Sequence, residues 1–335
     1  MKPIATSPRL ALLIALALPA AAAAACSGFS SEETVLSDAG ADAGVIAADA
    51  AAKEDTGSPA DSAIGDAGPK RATWEEPEAI RSTTLSRIVL RLGPLDGEYY
   101  YSEAKFGDST IFHGTFTSDA GSPLTFEGGT IHGEFPSVVT IAASAPSPLY
   151  FNAENGAIHG IPVVGAQVTD VASALVRAVD GGTVSVGLGY NPYAAPIAVS
   201  GNFPIYFESN NSVVRAEVQF LNTMLLNETA ITIVPAADSP TPARPQFPVV
   251  SRDEKALYFA ADEGANTVAI WMATRLTDPS DADAAVRWVF GDAHRVFRES
   301  TANEFPTDLS ADGKTLYFTR VESSGATAYR VRQKP

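Results

Sequence analysis

The chain has 335 residues, enough for one large domain or two ordinary ones, and it is acidic, with a formal net charge of −16. That balance speaks against nucleic acid as a partner, because phosphate binding needs a basic face. A single cysteine excludes an internal disulfide.

The N-terminus reads as a secretion signal over residues 1–25. Lys2 and Arg9 supply a positive start, and residues 10–25, LALLIALALPAAAAAA, supply a short apolar stretch. As a helix it would reach ~24 Å, short of the about 20 residues a permanent span needs. No other segment is apolar enough to cross a membrane. The one cysteine, Cys26, ends the small-residue run. AAAC followed by Ser27 and Gly28 resembles the bacterial lipoprotein signal, the lipobox. Ala23 stands where that family has leucine, so ordinary cleavage after an Ala-x-Ala is the alternative. The resemblance implies that Cys26 becomes the first mature residue and carries lipid, each buried methylene adding ~0.8 kcal/mol of anchoring. Serine rather than aspartate after the cysteine implies an outer-membrane anchor, facing the periplasm or the outside.

Residues 26–71 read as a tether. Alanine, aspartate, glycine and serine dominate, aromatics are absent after Phe29, and nine acids face one lysine between Ser27 and Pro69. Such a composition cannot bury enough apolar surface to offset chain entropy. A flexible chain of ~45 residues has a reach of roughly 35–40 Å.

The texture changes over residues 72–335. Tyrosine, phenylalanine, valine, threonine and isoleucine become frequent. Glycine and proline punctuate the chain at the short, regular intervals of turns between strands. Helix-like patterns occur only near 168–179 and 220–228. The pattern predicts an all-β body of short strands.

That body repeats. LSADGKTLYFTR (309–320) has a near copy in VSRDEKALYFAA (250–261), and weaker copies end in the aromatic pairs Tyr206-Phe207, Tyr150-Phe151 and Tyr100-Tyr101. The anchors Tyr101, Phe151, Phe207, Phe259 and Phe318 recur at nearly even intervals, of the length of a propeller blade. One hairpin later stands a second position: Phe112, Pro162, Val218, Trp271 or Tyr329. Before the anchors of the first and last units come the tryptophan segments of Trp74 and Trp288. Asp312 and Gly313 lie between two strand-like runs, and Asp-Gly takes the positive φ a tight hairpin needs. Each unit therefore reads as an outer strand followed by three more, a β-propeller blade. The last unit ends after its Tyr329 strand, so the Trp74 segment should complete it and lie near the C-terminus.

NEFPTDLSADGKTLYFTR, with the tryptophan strand before it, resembles the WD40-like propeller repeat of the TolB-like and PD40 families. The likeness is strongest in the last two units and covers most of residues 74–335. It implies a propeller serving as an interaction platform in the cell envelope. Five blades are visible; six would also fit the length.

Candidate sites are sparse. The Asp-Gly turns lack the alternating acids of a calcium loop. His113, His132 and His159 each stand in an apolar-His-Gly step. Three imidazoles suit zinc, yet their spacing does not follow the repeat and packed strand histidines explain them as well. No nucleophile elbow, zinc-protease or phosphate-loop motif occurs, so no catalytic residue, metal or cofactor is expected. Acidic pairs such as Glu75-Glu76, Asp262-Glu263 and Asp281/Asp283 read as solvated loops, and the Asn210 and Asn227 sequons matter only on a eukaryotic secretory route. The expected function is a non-catalytic platform for an envelope protein or glycan, tethered to the membrane through Cys26. The alternatives are an envelope hydrolase or lyase acting on glycans with carboxylates at the channel mouth, and a degenerate propeller without ligand. The variable loops between the copies are the expected place for function.

Overall fold

The computed structural model describes residues 71–335 apart from 106–107, 118–120, 124, 140–145, 154–156, 171–172, 180–181, 186–189, 196–201, 220–223, 264–266, 278–286 and 298–301. Cys26, the signal and all but the last residue of the tether lie outside the described residues, as do Asp281 and Asp283. The described elements form five antiparallel-based sheets, each starting with one strand at the ring axis.

Blade 1 runs outward through β2 (Arg87–Leu92), β3 (Glu98–Lys105), β4 (Asp108–Thr115) and β5 (Ser122–Pro123). Blade 2 runs through β8 (Glu134–Val138), β9 (Ser147–Asn152), β10 (Ile158–Val164) and β11 (Gln167–Val168), with β6 (Thr125–Phe126) and β7 (Gly129–Thr130) outside them and β12 (Ser173–Ala174) also on β10. Blade 3 comprises β15 (Tyr190–Ala194), β16 (Asn202–Ser209), β17 (Ser212–Gln219) and β18 (Met224–Ala230), then β13 (Val176–Val179) and β14 (Gly182–Ser185). Blade 4 comprises β20 (Ala243–Val250), β21 (Ala256–Asp262), β22 (Val268–Arg275), β23 (Val289–Arg295) and β19 (Thr232–Pro235). Blade 5 comprises β24 (Asn303–Leu309), β25 (Thr315–Glu322), β26 (Gly325–Arg332) and, outermost, β1 (Glu78–Thr83). The inner strands touch in the cycle β2, β8, β15, β20, β24 and back to β2. The molecule is a five-bladed β-propeller.

The two stretches read as helix-like are strands. Residues 168–179 hold β12 and β13, and 220–228 leads into β18. They pair with each other in parallel, Val176 with Met224 and Arg177 with Leu225. Val168, Leu175 and Leu225 are buried in the sheets, and that packing overrides a weak local pattern.

The ring closes as the sequence requires. Strand β1 pairs with β26, the Trp74 backbone bridges Gln333, and the Lys334 N–H donates to Thr73 O at 2.8 Å. The frame of the repeat differs from the expected one by a strand. Trp288 precedes β23, the outer strand of blade 4, rather than opening the blade that contains Phe318. A sequence repeat thus begins with the outer strand of the preceding blade, which is why the first such strand must return to the last sheet.

The five anchors all lie in the second strand of a blade and are buried, Tyr101 and Phe151 at 1% and 2% exposure and Phe207, Phe259 and Phe318 at 0%. Tyr101, Phe259 and Phe318 face Phe112, Trp271 and Tyr329 across the next hairpin. In the eroded middle units the register slips: Phe151 faces His159 and Phe207 faces Val214, in place of Pro162 and Val218.

Closure generates a test. Gly325 has φ +140°, and a Cβ there would overlap the Thr83 carbonyl of β1, whereas Gly313 has φ +72° with open space around it. Gly313→Ala should cost about 1–2 kcal/mol for the left-handed backbone alone. Gly325→Ala should cost on the order of 2–4 kcal/mol, since a closure contact must also move. Equal costs in urea unfolding would contradict the β1–β26 seam.

Candidate ligand-binding site at one end of the channel

Each inner strand has a free edge facing the axis, and side chains fill the space between. Val89, Phe135, Phe247 and Phe305, from four blades, form one cluster with Ala260. The Phe247 and Phe305 rings stack at 4.6 Å, the Phe135 ring meets Phe247 edge-on at 5.6 Å, and the Arg87 guanidinium lies 5.0 Å over Phe135. Phe135, Asn191 and Phe247 have φ of 55°, 57° and 52°, each at a bulge of its inner strand. A bulky residue at positive φ is unusual. Here the bulge turns the ring into the channel, and packing there offsets the strain. A proline follows each of these positions and Phe305 as well, at 136, 192, 248 and 306. Proline lacks an N–H and is tolerated on the free inner edge.

Two residues further along the strands the filling becomes polar. Arg91, Ser137, Tyr193 and Thr307 stand at this level, with Asp308 beside them; all five are buried. The Arg91 guanidinium lies 4.8 Å over the Tyr193 ring and donates one long bond, 3.5 Å, to Pro192 O. Asp308 accepts from the Leu92 and Leu309 N–H groups at 2.6 and 2.7 Å. The Tyr193 hydroxyl sits 3.2 Å from Val250 O and 3.3 Å from Asp308 Oδ1, so its one proton serves one of them at a time. Burial pulls the Arg91 pKa down, opposed by Asp308 and Tyr193. Burial likewise pushes the Asp308 carboxyl up against the opposing pull of Arg91 and the N–H donors. Among the described residues the Arg91 Nε and Nη1 and the Thr307 Oγ1 have no hydrogen-bond partner.

Beyond this layer lies a cavity of about 610 Å3. Its floor includes Arg91, Tyr193 and Asp308; its walls include Phe116, Val138 and Tyr317; among the described residues its rim includes Gly93–Gly97, Arg252 and Ser310-Ala311, and Glu98 and Arg330 also line it. These rim segments are the turns after the inner strands, which are the repeated copies themselves. The loops between copies, expected to carry function, enter the inner strands from the opposite end. The described turns of blades 1, 4 and 5 reach the cavity because each leaves an inner strand directly. At the loop end Glu134 is held by Arg87 at 3.0 Å and Glu304 Oε1 by two N–H groups of Arg320 at 2.9 and 2.7 Å, whereas Glu304 Oε2 meets no partner among the described residues and Glu208, its carboxyl pushed up by burial, accepts from Asn191 at 3.1 Å.

The turn around Asp312 and Gly313 closes on itself. The Ser310 hydroxyl donates to Asp312 Oδ1 at 2.6 Å, which also accepts from the Lys314 N–H at 3.0 Å, and Ser310 Oγ accepts from the Thr315 N–H at 2.8 Å. Ser251, Asp253, Lys255 and Ala256 repeat the pattern. These bonds, the Ser310 one foremost, hold the Asp312 carboxyl below its usual 3.8. A lowered folded-state pKa means that the stabilisation is present above the unfolded value and is lost as pH falls through the folded one. NMR titration should find Asp312 below 3.8, and Ser310→Ala should move it up; no movement would contradict the turn.

Blade 4 departs from the repeat where blade 5 has Gly313. Glu254 adopts φ +53° there and is buried. Its Oε1 accepts from the Tyr206 hydroxyl and, at 3.0 Å, from Arg215 Nε, both in blade 3. Arg215 and Arg275 also lie 4.0 and 4.5 Å from the Trp288 ring. Glu254→Gly would relieve about 1–2 kcal/mol of left-handed strain but break a buried charge contact, worth about 3–5 kcal/mol when one partner is lost. A net loss of about 1–4 kcal/mol in urea unfolding is expected; a gain would contradict the role given to this carboxylate.

The histidines stand apart from the cavity. His113 lies 5.1 Å from the Tyr100 ring and His159 5.9 Å from Phe151, while the His132 backbone bridges Thr110. The glycines after them make room for aromatic rings: a Cβ at Gly114 would lie 2.7 Å from Tyr99, one at Gly133 would overlap Phe151, and one at Gly160 would lie 3.0 Å from Tyr150. Among the described residues no group of three or more His, Cys, Asp or Glu side chains could hold a metal ion.

The residues that fill the channel carried a signal that the aromatic anchors obscured. Phe135-Pro136, Asn191-Pro192, Phe247-Pro248 and Phe305-Pro306 recur at almost equal intervals, more regular than those of the anchors.

No family model matches the chain, and no curated protein does. Among solved structures it is similar to TolB from Acinetobacter baumannii, at 12% identity and a TM-score of 0.41, over 74% of this chain and 54% of that one. It is also similar to the GH43_1 enzyme from Xanthomonas citri, at 13% identity and a TM-score of 0.47, over 77% and 89%. A third is the GH43 BlXynB protein from Bacillus licheniformis, at 10% identity and a TM-score of 0.45, over 76% and 54%. The chain thus spans about half the length of the Acinetobacter TolB.

Proposed function

We propose that this chain is a cell-envelope lipoprotein, anchored in the outer membrane through Cys26, whose propeller is a non-catalytic binding platform engaging its ligand at the repeat-turn end of the ring. One observation carries the reading: a cavity of about 610 Å3 meets a buried arginine with unpartnered N–H groups. That volume falls in the range of small-molecule sites, in which a few convergent polar groups fix the ligand. The signal, the cysteine and the acidic spacer support the membrane anchor and the tether of residues 26–71.

Two experiments test it. Cys26→Ala should abolish labelling by a fatty-acid probe and release the protein from membranes; continued labelling would end the lipid assignment. Hydrogen exchange of the full chain with size-fractionated envelope extract should slow at 93–97, 251–255 and 310–314, the turns around the cavity. Protection confined to the opposite end, or none from either the protein or the small-molecule fraction, would overturn the platform.

A further inference from the structure

The cavity has a charged floor whose bonding is incomplete. Arg91 is 1% exposed, and its Nε and Nη1 meet no acceptor among the described residues. Asp308, the nearest source of negative charge, accepts from two backbone N–H groups and shares the Tyr193 hydroxyl proton with Val250 O, and it makes no direct ion pair with Arg91. A buried guanidinium held by one 3.5 Å bond and an aromatic face is costly. Nothing about closing the ring demands it, because the same level is filled in other blades by Ser137 and Thr307. The walls above it, Phe116, Val138 and Tyr317, offer apolar and aromatic surface. Outside the floor the lining carries charges of both signs, Arg252 and Arg330 beside Asp96 and Glu98, and Arg252 is exposed.

We propose that the cavity binds a small organic anion, a carboxylate or phosphate on an apolar body, with the oxyanion taken by the free N–H groups of Arg91. Arginine is the residue suited to both groups. This rests on the reading of the cavity as the binding end of the ring and adds the class of ligand.

The test is calorimetry and thermal unfolding of the full chain with benzoate, its neutral isostere benzamide, and inorganic phosphate. Benzoate or phosphate should bind and raise Tm, and benzoate should exceed benzamide by about tenfold or more, the usual worth of a charged hydrogen bond. Preference for phosphate over benzoate would assign the ligand to phosphate esters, the reverse to carboxylic acids. Arg91→Met should erase the benzoate–benzamide difference, Arg91→Lys should retain part of it, and Arg252→Ala should slow binding without removing it. Equal binding of benzoate and benzamide, or no binding of benzoate and phosphate, would overturn the proposal on the unaltered chain, whether or not the Arg91 variants fold. If envelope extract still protects the rim turns in that case, the ligand class alone falls; if it does not, the platform reading falls with it.

Discussion

The structure depends on how the inner edges of five sheets are satisfied around one axis. Every inner strand pairs on one side only, so five rows of backbone and five faces of side chains converge where no further strand can enter. At one level the answer is apolar: Phe135, Phe247 and Phe305 meet Val89 across the channel. The prolines behind the first channel residues remove N–H groups from an edge that has no partner for them. At the next level the answer is polar: Arg91, Tyr193 and Asp308 reach across the axis from blades 1, 3 and 5. The channel is therefore a core in two layers, and the incompletely bonded one faces the cavity.

The repeat is kept where the backbone needs it and abandoned where neighbouring blades need something else. The self-closed turn at Ser310 and Asp312 recurs at Ser251 and Asp253 with the same bonds. Yet the glycine of one turn is Glu254 in the other, at the same left-handed backbone. The strain is local, and its compensation lies in the next blade, where Tyr206 and Arg215 bind the carboxylate. Erosion of the motif in blade 4 is thus an exchange of local fit for contact between sheets. The His-Gly steps work the other way: the glycines carry no contact of their own and leave room for the aromatic rings of the adjoining strand.

This division explains what the sequence could reveal. The all-β body, the anchors and the return of the N-terminal strand to the last sheet were legible, because period-two burial and hairpin chemistry are written in adjacent residues. The frame of the blades was not, since a strand such as that of Trp288 belongs to whichever sheet its edge meets, and only closure decides that. The segments near 168–179 and 220–228 misled for the same reason: β13 and β18 meet in parallel at Val176 and Met224 with the four strands β14 to β17 between them in the chain. Arg91 could not have been singled out as a site residue. It stands in an ordinary strand, Arg87–Leu92, and gains its character from Tyr193 and Asp308, both distant in the chain. The Phe-Pro and Asn-Pro steps were the one available pointer to the channel, since proline inside a strand implies an unpaired edge.

The measurement that bears most directly on the central claim is crystallographic: the protein soaked with selenate, whose anomalous scattering reports an oxyanion independently of the protein density. The account expects a peak at the floor of the repeat-turn cavity within hydrogen-bond distance of Arg91, with Asp308 still bound to the Leu92 and Leu309 N–H groups. A cavity without a peak, and an Arg91 guanidinium paired directly with Asp308, would contradict it.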